Sequence, residues 1–514
     1  VNGAHSMLQT LVNNDVTVCF ANPGTSEIYS VGAFDQIPEM RGVLCLFEGV
    51  ATGAADGYGR MQGWPASTLL HLGPGLGNGL ANLHNARRAF TPVVNIVGDH
   101  AVHHLQHDAP LTCDIEAIAG AVSGWVCSSP SARQLPTDTA AAVRAALEPP
   151  GQVATLVLPS DCAWDPGGPP AGKAATPYPA AIPSERVAEI ARLLRHGPET
   201  ILLIGGPAFQ EEGVCHARRI GNATGVRVIG DRVNGRMERG AGRPLLERIP
   251  YEIPQAVELL SGAKHMILAG ATVPVGFFAY PDTPSVTAPP DCAFHVLAEA
   301  HEDVLTALSM LVEEISAPDD TGPLAPSARP PLPTGTITID KVWAAVAALM
   351  PAEAVVSDES ITSGRAAMGM THGAPRHDWL NITGGSIGQG LPVALGAAVA
   401  CPERQVFAME SDGSAMYTLQ ALWTMAREHC DVVVVMFNNG VYKILQRELE
   451  RLCPDAQGPE SASMLDLSGP DLDWVRLSEG LGVEASRARD CEELCDQMRS
   501  AIRGTGPRFI EVRI

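Results

Sequence analysis

Positive charge is scarce in this chain: 35 Lys and Arg face 57 Asp and Glu in 514 residues, a formal net charge of −22. Nucleic acids and anionic membranes both reward basic patches, so neither is an expected partner. Long apolar runs are missing as well. No stretch approaches the roughly 20 residues that span a bilayer, and the N-terminus lacks the basic-then-apolar shape of a signal peptide. A cytoplasmic protein is the expectation. The 12 cysteines contain no CxxC pair, and Cys491 and Cys495 stand four apart among acidic residues. Scattered single thiols of this kind speak for a reducing compartment, without a zinc site or a disulfide frame. No short-period repeat is visible. A near P-loop, GGPPAGKA, lacks the Ser or Thr after Lys173 and has prolines where backbone donors are needed, which excludes it.

What is present is a well-buried globular composition, 46% hydrophobic and 18% charged, on a chain too long for a single core. Short apolar runs alternate with helical patterns. The first segment holds Val16–Ala21, Gly42–Leu46, Ser67–His71, Val93–Val97 and Ala154–Leu158 as strands. After a Pro-, Gly- and Ala-rich linker (166–183), Ser184 caps an expected helix to Arg195, and a short middle segment places strands at Ile201–Ile204, Val226–Ile229 and Met266–Leu268. It carries no clean dinucleotide fingerprint. A second proline-dense linker (316–335) leads into the third segment. The alternation predicts three open parallel α/β domains, 1–165, 184–315 and 336–514.

The stretch from Val406 to Leu445 reads as a βαβ unit. The run Val406–Met409 closes in Ser411-Asp412-Gly413-Ser414, and Met416, Leu419, Leu422, Trp423 and Met425 follow at helical spacing. The run Val432–Phe437 then ends in Asn438-Asn439, 27 positions after Asp412. Both motifs therefore fall at carboxyl ends of parallel strands, where α/β sheets take ligands. Asp412 offers a hard anionic oxygen and Asn439 a neutral one. Backbone carbonyls, Val441 among them, can complete an octahedron around Mg²⁺. The helix after Ser414 aims free N–H groups at the same place, which suits a diphosphate. Each motif taken alone is an ordinary turn.

Together these motifs resemble that of the thiamin-diphosphate-dependent 2-oxo acid decarboxylases and acetolactate synthases, in which GDG leads to a closing NN. Ser411 replaces the first glycine, and Lys443 stands where glycine usually follows the tyrosine. The resemblance covers nearly the whole chain. It implies pyrimidine-binding, middle and diphosphate-binding domains, and a homo-oligomer, a dimer of dimers, with sites between subunits. Glu48, between an apolar strand and the Ala/Gly-rich helix GVATGAADGYGRM, resembles the activating glutamate of the aminopyrimidine. His71, before Leu72-Gly73-Pro74-Gly75, occupies the position of an active-site histidine of benzoylformate decarboxylase. Thr25 and Ser26, in Asn22-Pro23-Gly24-Thr25-Ser26-Glu27, can cap a helix or reach a ligand.

In the third domain the resemblance gives Thr362 and Ser363 phosphate contacts, makes Gly385 the acceptor for the 4′-amino group, and makes Ile387 the wedge that bends the cofactor. Gly413, Ser414 and Tyr442 then bind diphosphate. Ser26, Leu72, Ile444 and Leu445 line the substrate. The loop His100–His107 has four histidines in eight positions, at no standard metal spacing. A solvated loop, a proton relay, a substrate contact and a non-standard metal site all stay open for it.

The implied reaction is non-oxidative decarboxylation of a small-molecule 2-oxo acid, with an aldehyde or a carboligated product to follow. Aromatic pocket residues of benzoylformate decarboxylase are replaced here by Asn381 and Glu448, and Val275–Tyr280 contains no histidine. A narrower or more polar substrate follows. An acetolactate-type carboligase is the alternative, although the short middle segment has no recognisable flavin stretch, so FAD is not expected. A cofactor-binding protein without turnover is the reading from another class. Intact Glu48, Asp412 and Asn439 speak against it.

Overall fold

Apolar β-branched runs become strands where both faces can be covered, and here they do so three times. The computed structural model describes residues 1–456 and 458–514. Its first sheet is wholly parallel and contains β1 (Val18–Asn22), β2 (Arg41–Leu44), β3 (Ala66–Leu70), β4 (Val93–Asp99), β5 (Trp125–Ser128) and β6 (Val153–Pro159), in the order β2-β1-β3-β4-β6-β5. Every residue of β3, β4 and β6 is buried, as expected of central strands between helical layers.

The middle segment forms β7 (Thr200–Ile204), β8 (Arg227–Gly230), a short β9 (Met237–Arg239), β10 (Glu247–Arg248), β11 (His265–Ala269) and β12 (Ala293–Ala298). Its sheet runs β10-β8-β7-β11-β12. The third region contributes β13 (Ala354–Glu359), β14 (His377–Asn381), β15 (Val406–Ser411), β16 (Val432–Asn438), β17 (Glu484–Ala488) and β18 (Arg508–Arg513), adjacent in the order β17-β18-β16-β15-β13-β14. The protein is thus α/β with three mostly parallel sheets. Two compact units result: Val1–Leu147 with Gly151–Thr176 and Arg329–Ile514, and Glu148–Pro150 with Pro177–Ala328.

Within the first unit, the helix Gly390–Ala400 is buried on all sides and lies against the helix Glu48–Gln62. An all-apolar helix has no face to give to water, so it ends in a core. Glycines allow the two backbones to touch. A Cβ on Gly396 would stand 1.9 Å from the Ala54 carbonyl, and one on Gly57 would stand 2.2 Å from that of Val393.

Two local expectations change. In place of one helix after Ser414, through Met416 to Met425, the chain forms two short ones, Asp412–Ala415 and Ala421–Arg427. Between them Tyr417, Thr418, Ala421 and Leu422 donate to carbonyls three residues back, and Thr418 Oγ1 donates to the Gly388 carbonyl at 2.9 Å. That tertiary bond competes with the straight helix. Ser184 is the first residue of its helix rather than its cap; Pro183 precedes it in extended geometry. The first linker is strapped down: Asn13 donates to the Ala171 carbonyl, and Ala174 N donates to Asn14 Oδ1.

Candidate active site

Asp412 directly follows β15 and Asn439 directly follows its neighbour β16, so the parallel register brings both to one sheet edge. Asp412 is buried, and Oδ2 accepts from Gly440 N at 2.8 Å. Burial pushes its carboxyl above the usual range, and backbone N–H groups of Gly440, Gly413 and Asn439 pull it back. Asn439 Oδ1 accepts from Val441 N at 3.0 Å, in a turn that Gly440 completes at φ +66°. One buried carboxylate, one amide oxygen and nearby carbonyls form a hard-oxygen donor set that fits Mg²⁺ with phosphate oxygens. Among the described residues no group of three or more His, Cys, Asp or Glu has metal geometry.

Ser411 does not disturb this edge. Its hydroxyl donates to the Glu359 carbonyl at 3.2 Å and lies within hydrogen-bond distance of Ser414 Oγ at 2.8 Å, so it ties the turn. Gly413 gives Tyr442 its place, since a Cβ there would stand 2.5 Å from the tyrosine ring. Because the Asp412–Ala415 helix is a single turn, it offers a few N–H groups and not the dipole of a long helix. Thr362 and Ser363 lie in the short 3₁₀ turn after β13. Ser363 is buried, and its carbonyl accepts from Trp343 Nε1 at 2.7 Å.

The loop carrying Gly385 and Ile387 is held by residues that sequence reasoning did not single out. Asn85 Oδ1 accepts from Gly384 N and Ser386 N, at 3.1 and 3.3 Å, and its Nδ2 donates to the Ser386 carbonyl at 2.8 Å. Asn82 Nδ2 donates to the carbonyls of Gly49 and Gly388. Behind them, the buried Asp56–Arg60 ion pair at 2.6 Å also takes in Thr91, Thr383 and Gln389. Gly385 and Gly388 adopt φ of +76° and +92°, a reason for glycine at both positions.

Beneath this loop lie two buried carboxyls, Glu359 and Glu410. Glu359 accepts from Gly388 N and Gly390 N, at 2.9 and 2.6 Å. Desolvation raises its pKa to about 7, and it raises that of Glu410, whose oxygens have no hydrogen-bond partner, well above the ordinary value. The pair therefore keeps a proton at neutral pH. A glutamate preceding the Ser-Asp-Gly-Ser turn was the available signal for Glu410.

In the first sheet's half of the unit, Glu48 opens the helix Glu48–Gln62 and is buried; Asn78 Nδ2 donates to its Oε2 at 3.0 Å. His71 precedes the helix Leu72–Arg88, with Leu72 at φ +51° turning the chain. The two residues flank Gly75: a Cβ there would stand 3.0 Å from Glu48 Oε1 and 3.4 Å from His71 Cβ.

His71 Nδ1 lies 2.8 Å from Oε2 of Glu27 and 3.2 Å from Ser26 Oγ. Glu27 is fully buried and accepts from Gly24 N and Ser26 Oγ, both at 2.7 Å. Its room comes from Gly98, where a Cβ would stand 1.7 Å from Oε1, and Gly24 likewise clears space for the His71 ring. Glu27 was legible only as the last letter of the Asn-Pro-Gly-Thr-Ser-Glu turn. A cavity of about 410 Å³ opens here, lined in part by Thr25, Ser26, His71 and Leu72. Ile444 and Leu445 are not among its lining residues; they sit on the helix Lys443–Leu452, none of whose residues is buried.

A parallel-sheet enzyme with Asp…Asn-Asn at one sheet edge and a buried Glu on a small-residue helix has the parts of a thiamin diphosphate enzyme. Residues 1–118 match the thiamine pyrophosphate enzyme N-terminal TPP binding domain, and residues 362–512 match the C-terminal TPP binding domain. The chain belongs to the thiamine pyrophosphate enzyme family. A Mycobacterium tuberculosis protein named "Putative acetolactate synthase large subunit IlvX" is 50% identical over 513 residues, covering 100% of this chain and 99% of that protein. Benzoylformate decarboxylase of Pseudomonas aeruginosa is 28% identical, over 98% of this chain and 97% of its own length. The solved structure of a Rhodococcus jostii thiamine diphosphate-dependent 4-hydroxybenzoylformate decarboxylase superposes with a TM-score of 0.83 at 24% identity, over 100% of this chain and 99% of that one.

Proposed function

We propose that the chain is a thiamin-diphosphate- and Mg²⁺-dependent lyase that removes CO₂ from a 2-oxo acid without oxidation. The observation that carries this reading is the His71–Glu27–Ser26 cluster at the wall of a cavity, with Glu48 on the other side of Gly75. When bound, the cofactor supplies the electron sink for the charge left as CO₂ departs. Asp412, Asn439 and the Val441 carbonyl are the residues to hold Mg²⁺. Thr362, Ser363, Gly413, Ser414 and Tyr442 serve the diphosphate end, and Thr25, Gly385 and Ile387 serve the ring end.

Glu48 exchanges a proton with the cofactor's pyrimidine. His71, its Nδ1 committed to Glu27, presents Nε2 to the cavity and moves protons there. Ser26 and Leu72 bound the substrate from the first domain, and Ile444 and Leu445 bound it from the third domain of a second subunit. This arrangement requires a homo-oligomer.

The test is incubation with Mg²⁺, thiamin diphosphate and a panel of 2-oxo acids, with CO₂, aldehyde and hydroxy-ketone measured together. CO₂ with matching aldehyde supports the lyase. Coupled product in place of aldehyde supports an acetolactate-type carboligase, the second reading, which the name of the 50%-identical relative favours. Cofactor binding without CO₂ from any substrate would overturn both.

A further inference from the structure

The histidines after β4 share the cavity that holds His71. His100, His103 and His104 line it, together with Ser160, and no carboxylate is among its lining residues. The rings of His100 and His104 lie 5.5 Å apart, and His107 continues the row at 5.6 Å. Four imidazoles around about 410 Å³ make an unusual wall for an apolar ligand, since a hydrocarbon would leave their nitrogens unpaired.

Two acids flank the histidine row, and neither is among the cavity's lining residues. Asp99 accepts from His100 N at 2.7 Å, and Asp161 accepts from Val102 N at 3.1 Å while lying 3.6 Å from His103 Nδ1. His71 is committed to Glu27 through Nδ1. His100 Nε2 is buried and has no hydrogen-bond partner. That nitrogen lies behind the cavity wall, and a ligand meets the rest of the histidine row, where an anionic oxygen gives the strongest hydrogen bond to an imidazole N–H. The cavity also has more room than a three-carbon acid needs. Tyr29 and Trp164, 5.9 Å apart, line it too and would suit an aryl group, so the two substrate chemistries can be set against each other.

We infer that the cavity selects a 2-oxo acid carrying a second carboxylate at its far end, read by His100 and His104. This rests on the lyase reading of the same site. The catalytic end, at His71, takes the 2-oxo carboxylate, and the histidine row takes the distal one. A site built to hydrogen-bond a substrate group discriminates against an analogue that lacks it far better than an apolar pocket discriminates by size.

The experiment uses the enzyme reconstituted with thiamin diphosphate and Mg²⁺, and compares 2-oxoglutarate, 2-oxohexanoate and benzoylformate by CO₂ release. The expected kcat/KM for 2-oxoglutarate exceeds that for 2-oxohexanoate by at least about 10-fold. In His100→Asn and in the exposed-site variant His104→Gln, that ratio falls by about 10-fold or more. Preference for 2-oxohexanoate or benzoylformate, or an unchanged ratio in both variants, would overturn the inference. If no acid releases CO₂, the lyase reading fails, and calorimetry then decides the cavity separately. Saturable 2-oxoglutarate binding that weakens in His100→Asn supports the inference, and absence of binding overturns it.

Discussion

Nδ1 of His71 lies 2.8 Å from Oε2 of Glu27, a carboxylate without solvent exposure. A buried acid facing one ring nitrogen fixes that nitrogen as the N–H donor and turns the other toward the cavity. Glu27→Gln keeps the volume but lets the amide present either an oxygen or an NH₂ to the ring. Turnover is expected to fall by roughly 10²-fold, and by roughly 10²–10⁴-fold in His71→Ala, with cofactor affinity kept in both. Steady-state kinetics with calorimetric cofactor binding checks this; unchanged turnover in both variants would return the pair to a structural role.

Asp412→Ala is expected to lose Mg²⁺-dependent retention of thiamin diphosphate, because the diphosphate would meet no bridging cation. The measurement is calorimetric titration of cofactor with and without Mg²⁺. Equal affinity in variant and parent would mean that the buried carboxylate at the end of β15 serves another purpose.

The sheet edge was legible in the sequence because both strands that deliver it, Val406–Ser411 and Val432–Asn438, are continuous apolar runs ending in polar turn residues. Three strands were not legible: β5 and β17 are only partly buried, and β14 reads His-Asp-Trp-Leu-Asn, with no alternation to mark it. The clamps were hidden for a different reason. Asn82 and Asn85 look like solvated helix positions, and only the fold shows that they meet a loop about 300 residues away. The Ala/Gly-rich helix was visible as a pattern, while the need for its glycines lies in the partner helix Gly390–Ala400.

Gly396→Ala tests that packing. Its Cβ would stand 1.9 Å from the Ala54 carbonyl, so the two helices must move apart. The expected cost is about 1–3 kcal/mol or more, seen as a lower midpoint in thermal or denaturant unfolding. Gly369→Ala, where a Cβ would meet nothing within 4 Å, is the control and is expected to leave the midpoint nearly unchanged.

The buried Glu359–Glu410 pair sets a pH dependence. Glu359 rises from its ordinary value of 4.5 to about 7 in the folded protein, so the folded state binds a proton that the unfolded chain has released. The stability linked to that proton is fully present below about pH 4.5 and is lost as pH rises through about 7. Glu410→Gln removes the second buried carboxyl that holds its proton in the folded state and is expected to flatten this decline. Urea unfolding at steps from pH 5 to 8 checks it, and a slope equal to the parent's would show that the pair does not titrate in this window.

The last prediction concerns assembly. Glu48 lies in the first sheet's domain and Asp412 in the third's, and the proposed site needs one carboxyl at the pyrimidine and the other at the diphosphate. If each site combines Glu48 of one subunit with Asp412 of another, a two-fold dimer has two equivalent sites. Glu48→Gln and Asp412→Ala homodimers are then both nearly inactive, because each site carries one lesion. In a mixed dimer one site collects both lesions and the other collects neither. Random reassembly of equal amounts makes half the dimers mixed, and half of their sites are intact, so about a quarter of parental activity returns. Recovery near zero, with mixing verified by native mass spectrometry, would mean that both residues serve one site from one chain, or that one of them has another role.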